Sequence, residues 1–192
     1  MSQARSARFA LPLLAAGLLL LSSATSAFDR AFGPLAAEGS LQAAFSPWDD
    51  IEGLIVECLA GARQQVLVQA YVITSRRIVG SLIAAKNRGL DVRVLADARQ
   101  HAATITSRLA DLAAAGIPVW TESKYQNAHN KLILIDPARP GATVITGSFN
   151  FTWSAQKSNA ENVLVARDNP RLAARYLMNW ERHLSDAQPF SP

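Results

Sequence analysis

The chain has 192 residues, 49% of them hydrophobic, with 19 Lys and Arg against 15 Asp and Glu, a formal charge of +4. That length suits one domain with a sizeable core. A single cysteine, Cys58, excludes an internal disulfide framework and a Cys-rich zinc site.

Met1 to Arg8 carries Arg5 and Arg8 and no acid, Phe9 to Leu21 is almost wholly apolar, and the small residues Ser22 to Ala27 follow. A basic start, a short apolar run and a small-residue cleavage site predict a secretory signal peptide over residues 1–27, cut after Ala27 or Ala24. The alternative, a retained anchor, is disfavoured because the run falls short of the ~18–20 residues of a spanning helix. No later apolar run is long enough to span. Loss of Arg5 and Arg8 with the leader leaves residues 28–192 with a formal charge of only +2, so the basic character of the full chain overstates the case for nucleic acid. The expected location is the periplasm or the exterior.

Phe28 to Ser46 reads as an arm leading to a short strand near Leu41–Phe45. Ser46 then has the look of a helix N-cap with Pro47 in the first turn, and Trp48, Ile51, Ile55, Cys58 and Ala62 form one apolar stripe. Cys58 is therefore expected as a core thiol. Gln65–Ile73 predicts a buried strand, and Ser75–Arg88 a helix closed by Gly89. Asp91–Ala96 predicts a second strand. Ala102–Ala115 predicts a helix with Ile105, Leu109 and Leu112 inward, and Ile117–Thr121 a third strand. Strand–helix alternation at this spacing argues for parallel pairing. Lys131–Ile135 and Ala142–Thr146 follow as strands joined by the turn-rich segment 136–141, then a strand at Asn162–Ala166. A last helix, Pro170–Leu184, carries Leu172, Tyr176, Trp180 and Leu184 one turn apart. The expected fold class is a single α/β domain over residues 28–192, with a central mixed or mostly parallel sheet flanked by helices.

Polar clusters stand at the ends of the late strands. His129-Asn130-Lys131 opens one, Gly147-Ser148-Phe149-Asn150 follows the next, and Glu161-Asn162 begins the third. Residues two apart in a strand share a face, so His129 and Lys131 point the same way. Ser148 and Asn150 offer donors suited to phosphate oxygens, with Lys131 supplying charge.

The pattern His129-x-Lys131-x(4)-Asp136, then Gly147-Ser148-x-Asn150, resembles the HKD signature of the phospholipase D superfamily. The segment 147–162 is most similar to the small bacterial endonucleases of that superfamily, which carry one HKD motif per chain, and the likeness extends to 69–74, 84–97 and 113–119. One departure stands out: ten residues separate Asp136 from Gly147 where the family usually has about six, an insertion at a tolerant loop tip.

The resemblance implies a phosphodiesterase in which His129 is the nucleophile and forms a phosphohistidine, with Lys131, Ser148 and Asn150 binding phosphate. It also implies a second HKD histidine as acid and base. His101 and His183 lack a Lys two residues on, so a homodimer sharing its site across a two-fold axis is expected, supplying a second His129. Glu161 is the candidate partner for the other ring nitrogen of His129, because the matching Glu sits against the histidine in the resembled nucleases. Asp136 is the rival carboxylate. At the far end of a five-residue strand it lies roughly 15 Å or more away, which suits orienting the fold or interface. Three scattered histidines and one cysteine make no recognisable ligand set, so neither metal nor cofactor is expected.

A nonspecific exported endonuclease acting on DNA or RNA is the leading expectation. Arg76, Arg77, Lys86, Arg99, Lys124 and Lys157 are candidates for a basic lining. A phospholipase D acting on phosphatidylcholine-type lipids shares every catalytic residue and is the alternative. A non-catalytic nucleic-acid-binding protein is a third.

Overall fold

The computed structural model describes residues 33–191. The expected leader and its cleavage points lie outside the described residues.

The first strand, β1 (Ser40–Ser46), runs to the helix α1 (Ile51–Ala60). The expected N-cap is displaced: Asp50 caps α1 by accepting from the Gly53 N–H, while Ser46 ends β1, buried, with its hydroxyl donating to the Ala155 carbonyl at 2.7 Å. Trp48 consequently lies before the helix and is 81% exposed instead of joining the apolar stripe. Cys58 is only partly buried, receiving an Arg167 N–H at 3.4 Å, so it borders the core instead of filling it.

Then come β2 (Gln65–Ala70), α2 (Arg76–Asn87) and β3 (Asp91–Asp97). Ser75 caps α2 by accepting from the Ile78 N–H. The single helix expected over 102–115 is two, α3 (Ala98–Ala103) and α4 (Leu109–Ala114), and Ile105 is fully exposed between them. Thr104, Ile105 and Thr106 are consecutive β-branched residues that lose side-chain freedom in a helix, and Ser107 bonds locally to His101. The chain continues through β4 (Val119–Glu122), β5 (Lys131–Ile135), β6 (Thr143–Gly147), the short α5 (Trp153–Lys157), β7 (Glu161–Arg167), α6 (Pro170–Asp186) and β8 (Gln188–Pro189).

These strands form one mixed sheet in the order β1-β7-β6-β5-β2-β3-β4-β8. Parallel pairing is confined to β2–β3 and β3–β4, and the other neighbours are antiparallel. Alternation along the strands divides the core in two. Val66, Val68, Val92, Val94, Ile133 and Ile145 pack with α1, α2 and α4 on one face. Leu67, Leu95, Leu132, Leu134 and Val144 pack with α6 on the other. Trp180 anchors α6 there: it is buried and its indole N–H donates to the Val68 carbonyl at 3.1 Å. Among the described residues no helix is long and apolar enough to cross a membrane.

Candidate active site

The strand directions bring distant segments to one end of the sheet. Because β5 runs antiparallel to both β2 and β6, its start lies level with the ends of those strands, and Lys131 stands opposite Ala70. The start of β7 meets the end of β6 at the same level, where Gly147 stands opposite Val163. His129, Lys131, Ser148, Asn150 and Glu161 therefore all sit at this end. A Cβ at Gly147 would collide with the Asn162 carbonyl, so glycine is what allows the end of β6 to lie this close to β7.

His129 is exposed, open to an approaching ligand, while Lys131 is 6% exposed. The Lys131 Nζ lies 2.9 Å from His129 Nδ1 and donates to the His129 carbonyl at 2.8 Å. Tyr71, just past β2, floors the pair: its ring centroid is 4.2 Å from the imidazole and 4.8 Å from the ammonium. Burial pushes the Lys131 pKa down to about 8, opposed by the Glu161 carboxylate. Burial and the Lys131 charge hold His129 below its usual 6.5, opposed by Asp97. At neutral pH the site thus presents a neutral imidazole beside an ammonium that is easily drawn to an anion.

Ser148 is tied to β7. Its N–H donates to the Asn162 carbonyl at 3.1 Å, and its Oγ accepts from the Asn162 backbone N–H at 3.0 Å and side-chain amide at 3.3 Å. With its lone pairs occupied, the hydroxyl is left as a donor, whereas the backbone N–H is already used within the sheet. The Asn150 Oδ1 is buried without a partner. Turning the amide over places an NH2 group at that position, so this side chain has hydrogen-bonding capacity to give to a ligand.

The two candidate carboxylates take different places. Glu161 accepts from the Asn159 side chain at 2.9 Å and acts on Lys131, not on the His129 ring, whose Nδ1 faces Lys131. The reason is register: β6 lies between β5 and β7, so Glu161 starts roughly 10 Å away from the His129 strand. Asp136 stands away from the imidazole, as its place at the far end of the strand led us to expect. At the opposite end of β5, with φ 49°, it accepts the backbone N–H groups of Arg63, Gln64 and Gln65 at 2.9, 2.7 and 2.8 Å. It fastens the α1–β2 turn to the β5–β6 loop.

The remaining histidines are engaged away from this cluster, His101 with Ser107 at 2.6 Å and His183 with Glu122 at 2.7 Å. Of the expected basic lining, Arg77 is ion-paired to Asp50 and Lys124 to Asp186. Tyr71, Asp97 and Asn162 went unnoticed as site residues in the sequence. Tyr71 and Asp97 stand at the carboxyl ends of β2 and β3, at the same end of the sheet as the late-strand clusters.

The chain matches the family described as cardiolipin synthase, PLD-like domain, over residues 55–184. It is 39% identical over 144 residues to a phospholipase D of Rickettsia prowazekii, covering 75% of this chain and 67% of the relative. Among solved structures, the phospholipase D family member Nuc from Salmonella typhimurium superposes with a TM-score of 0.74 at 33% identity, over 81% of this chain and 100% of Nuc. NucT from Helicobacter pylori has a TM-score of 0.72 at 20% identity, over 80% of this chain and 100% of NucT, a likeness of fold.

Proposed function

The chain belongs to the phospholipase D superfamily, and from that membership we propose that it is an exported, metal-independent phosphodiesterase working through a phosphohistidine on His129, with nucleic acid as its substrate. The observation that carries the reading is the 2.9 Å approach of the Lys131 ammonium to the His129 imidazole. This ammonium sits on Nδ1. A bound phosphodiester competes for it, and Lys131, the Ser148 hydroxyl and the Asn150 amide then hold the non-bridging oxygens.

The imidazole attacks phosphorus, the P–N bond forms, and the P–O bond to the leaving alcohol breaks as that oxygen takes a proton from an acid. Water then attacks phosphorus, gives its proton to the same group, and the P–N bond breaks. A second copy of His129 across a dimer axis supplies that acid and base. Glu161, set off from its own His129, is available to face that incoming imidazole. Lys131 and the neutral donors offset the phosphate charge, which is the part a metal plays in other phosphodiesterases.

Nucleic acid is favoured by the similarity of 147–162 to one-motif endonucleases and by the full-length match to Nuc. The second reading, a phospholipase D, draws on the Rickettsia relative's name and on Trp48 and Trp153, 81% and 63% exposed beside α1 and α5. Plasmid DNA, RNA and phosphatidylcholine vesicles incubated with residues 28–192 in excess EDTA separate the readings. Nucleic-acid cleavage that persists in EDTA and vanishes in His129→Asn is expected. Choline release alone would move the assignment to lipid, and activity requiring a divalent ion would overturn the metal-free mechanism.

A further inference from the structure

Asp97, the last residue of β3, is 1% exposed, and backbone N–H groups take up both of its oxygens. Oδ1 accepts from Gln100 at 2.6 Å, which caps α3. Oδ2 accepts from Ala128 at 2.7 Å, one peptide before His129. On the other side of His129, the Asn130 carbonyl accepts the Tyr71 N–H at 2.9 Å. The imidazole is thus borne on a short span pinned at both ends, to β3 through a side chain and to the end of β2 through the backbone. The preceding residues, Ser123 to Asn127, are exposed, so the Asp97 anchor marks where this loop becomes ordered against the sheet.

A carboxylate is an expensive group to bury, and a helix cap alone needs only one acceptor, which Asn also provides. Asp97 supplies a second acceptor and a full negative charge behind the reacting ring. That ring gains positive charge as its lone pair bonds to phosphorus, and a fixed anion nearby stabilises the charge without reorganising. We propose that Asp97 is the positioning residue for His129, holding the nucleophile in place through Ala128 and supporting the cationic ring of the phosphohistidine. The charged groups facing His129 are Lys131 on its own strand and Asp97 from β3. Tyr71 contributes an uncharged ring, and Glu161 acts on Lys131.

The role in catalysis rests on the assignment of His129 as nucleophile, whereas the electrostatic part is read without turnover. Imidazole titrations by NMR on 13C-histidine protein follow His129 directly, with its signal identified by its loss in His129→Asn; turnover is read on bis-4-nitrophenyl phosphate. Asp97 raises the His129 pKa, so Asp97→Asn, verified as folded by circular dichroism, is expected to move that titration to lower pH. Its kcat should fall ~10–100-fold, with KM little changed. Asp97→Glu keeps the charge but pushes the span outward, so its titration stays near wild type while kcat remains low. A folded Asp97→Asn with unchanged titration, or with unchanged kcat, overturns the proposal. Should Asp97→Asn not fold, unchanged kcat in folded Asp97→Glu does so. Activity retained in His129→Asn would instead sink the nucleophile assignment, leaving the NMR result to stand separately.

Discussion

Two side chains in contact carry opposite requirements. His129 must be neutral to attack, a condition lost as pH falls through its lowered pKa, below 6.5. Lys131 must be charged to hold phosphate, a condition lost as pH rises through about 8. The second His129 copy, as acid, must by contrast be protonated, so the pH profile of kcat/KM is expected to be a bell whose acid limb reports the nucleophile and whose alkaline limb, from loss of the acid's proton and then of the Lys131 proton, is complete above about 8. A flat profile from pH 7 to 9.5 would contradict this. Lys131→Met should cost ~10³-fold or more in kcat and yet raise Tm at pH 7. The sign follows from linkage: a buried amine whose folded pKa lies below its unfolded value of 10.5 penalises the folded state below pH 8. The penalty fades between pH 8 and 10.5, so thermal scans should show the variant's advantage shrinking over that window. The shared face of His129 and Lys131 was legible from their spacing of two. The burial that retunes Lys131 was not, because it depends on Tyr71 and β2, some sixty residues upstream.

Each strand turn at the two ends of the sheet has a distinct task. Asp136 lies in the signature yet serves the end opposite the chemistry, where it joins β5 to the turn before β2 through three backbone N–H groups. Asp136→Ala strands those donors and places a residue with a Cβ but no polar side chain at φ 49°. A loss of about 2–3 kcal/mol in denaturant unfolding is expected, with kcat per folded molecule retained; a wild-type stability or a lost kcat would refute that division of labour. Most elements were visible in the pattern of apolar residues, since strands of period two and helices of period 3.6 are local properties. Where reading went astray, the competing interaction was specific. Asp50 displaced Ser46 as a cap because Ser46 pairs with α5. The 102–115 helix split because its middle is β-branched. Trp48 followed the cap out into solvent.

For the molecule as a whole, one chain brings together an imidazole, an ammonium and two neutral donors, but only one histidine of the HKD type. The dimer proposed to complete the site predicts sedimentation as a two-chain species, and specific activity that falls on dilution through its dissociation constant. Doping wild type with His129→Asn should suppress activity further than simple dilution does, because mixed dimers lack one of the two imidazoles. A monomer with undiminished activity at nanomolar concentration would refute it. By itself the sequence determined which residues form the signature, that His129 and Lys131 share a face, and that an α/β domain presents them at strand ends. Only the tertiary structure decided which ends meet. It set Glu161 two strands from β5 and brought Tyr71 and Asp97 to the end of the sheet that carries the imidazole. Local periodicity encodes where a side chain points from its own strand, whereas pairing order and register between segments far apart in the chain, such as β1 and β7, come from packing both faces of the sheet together.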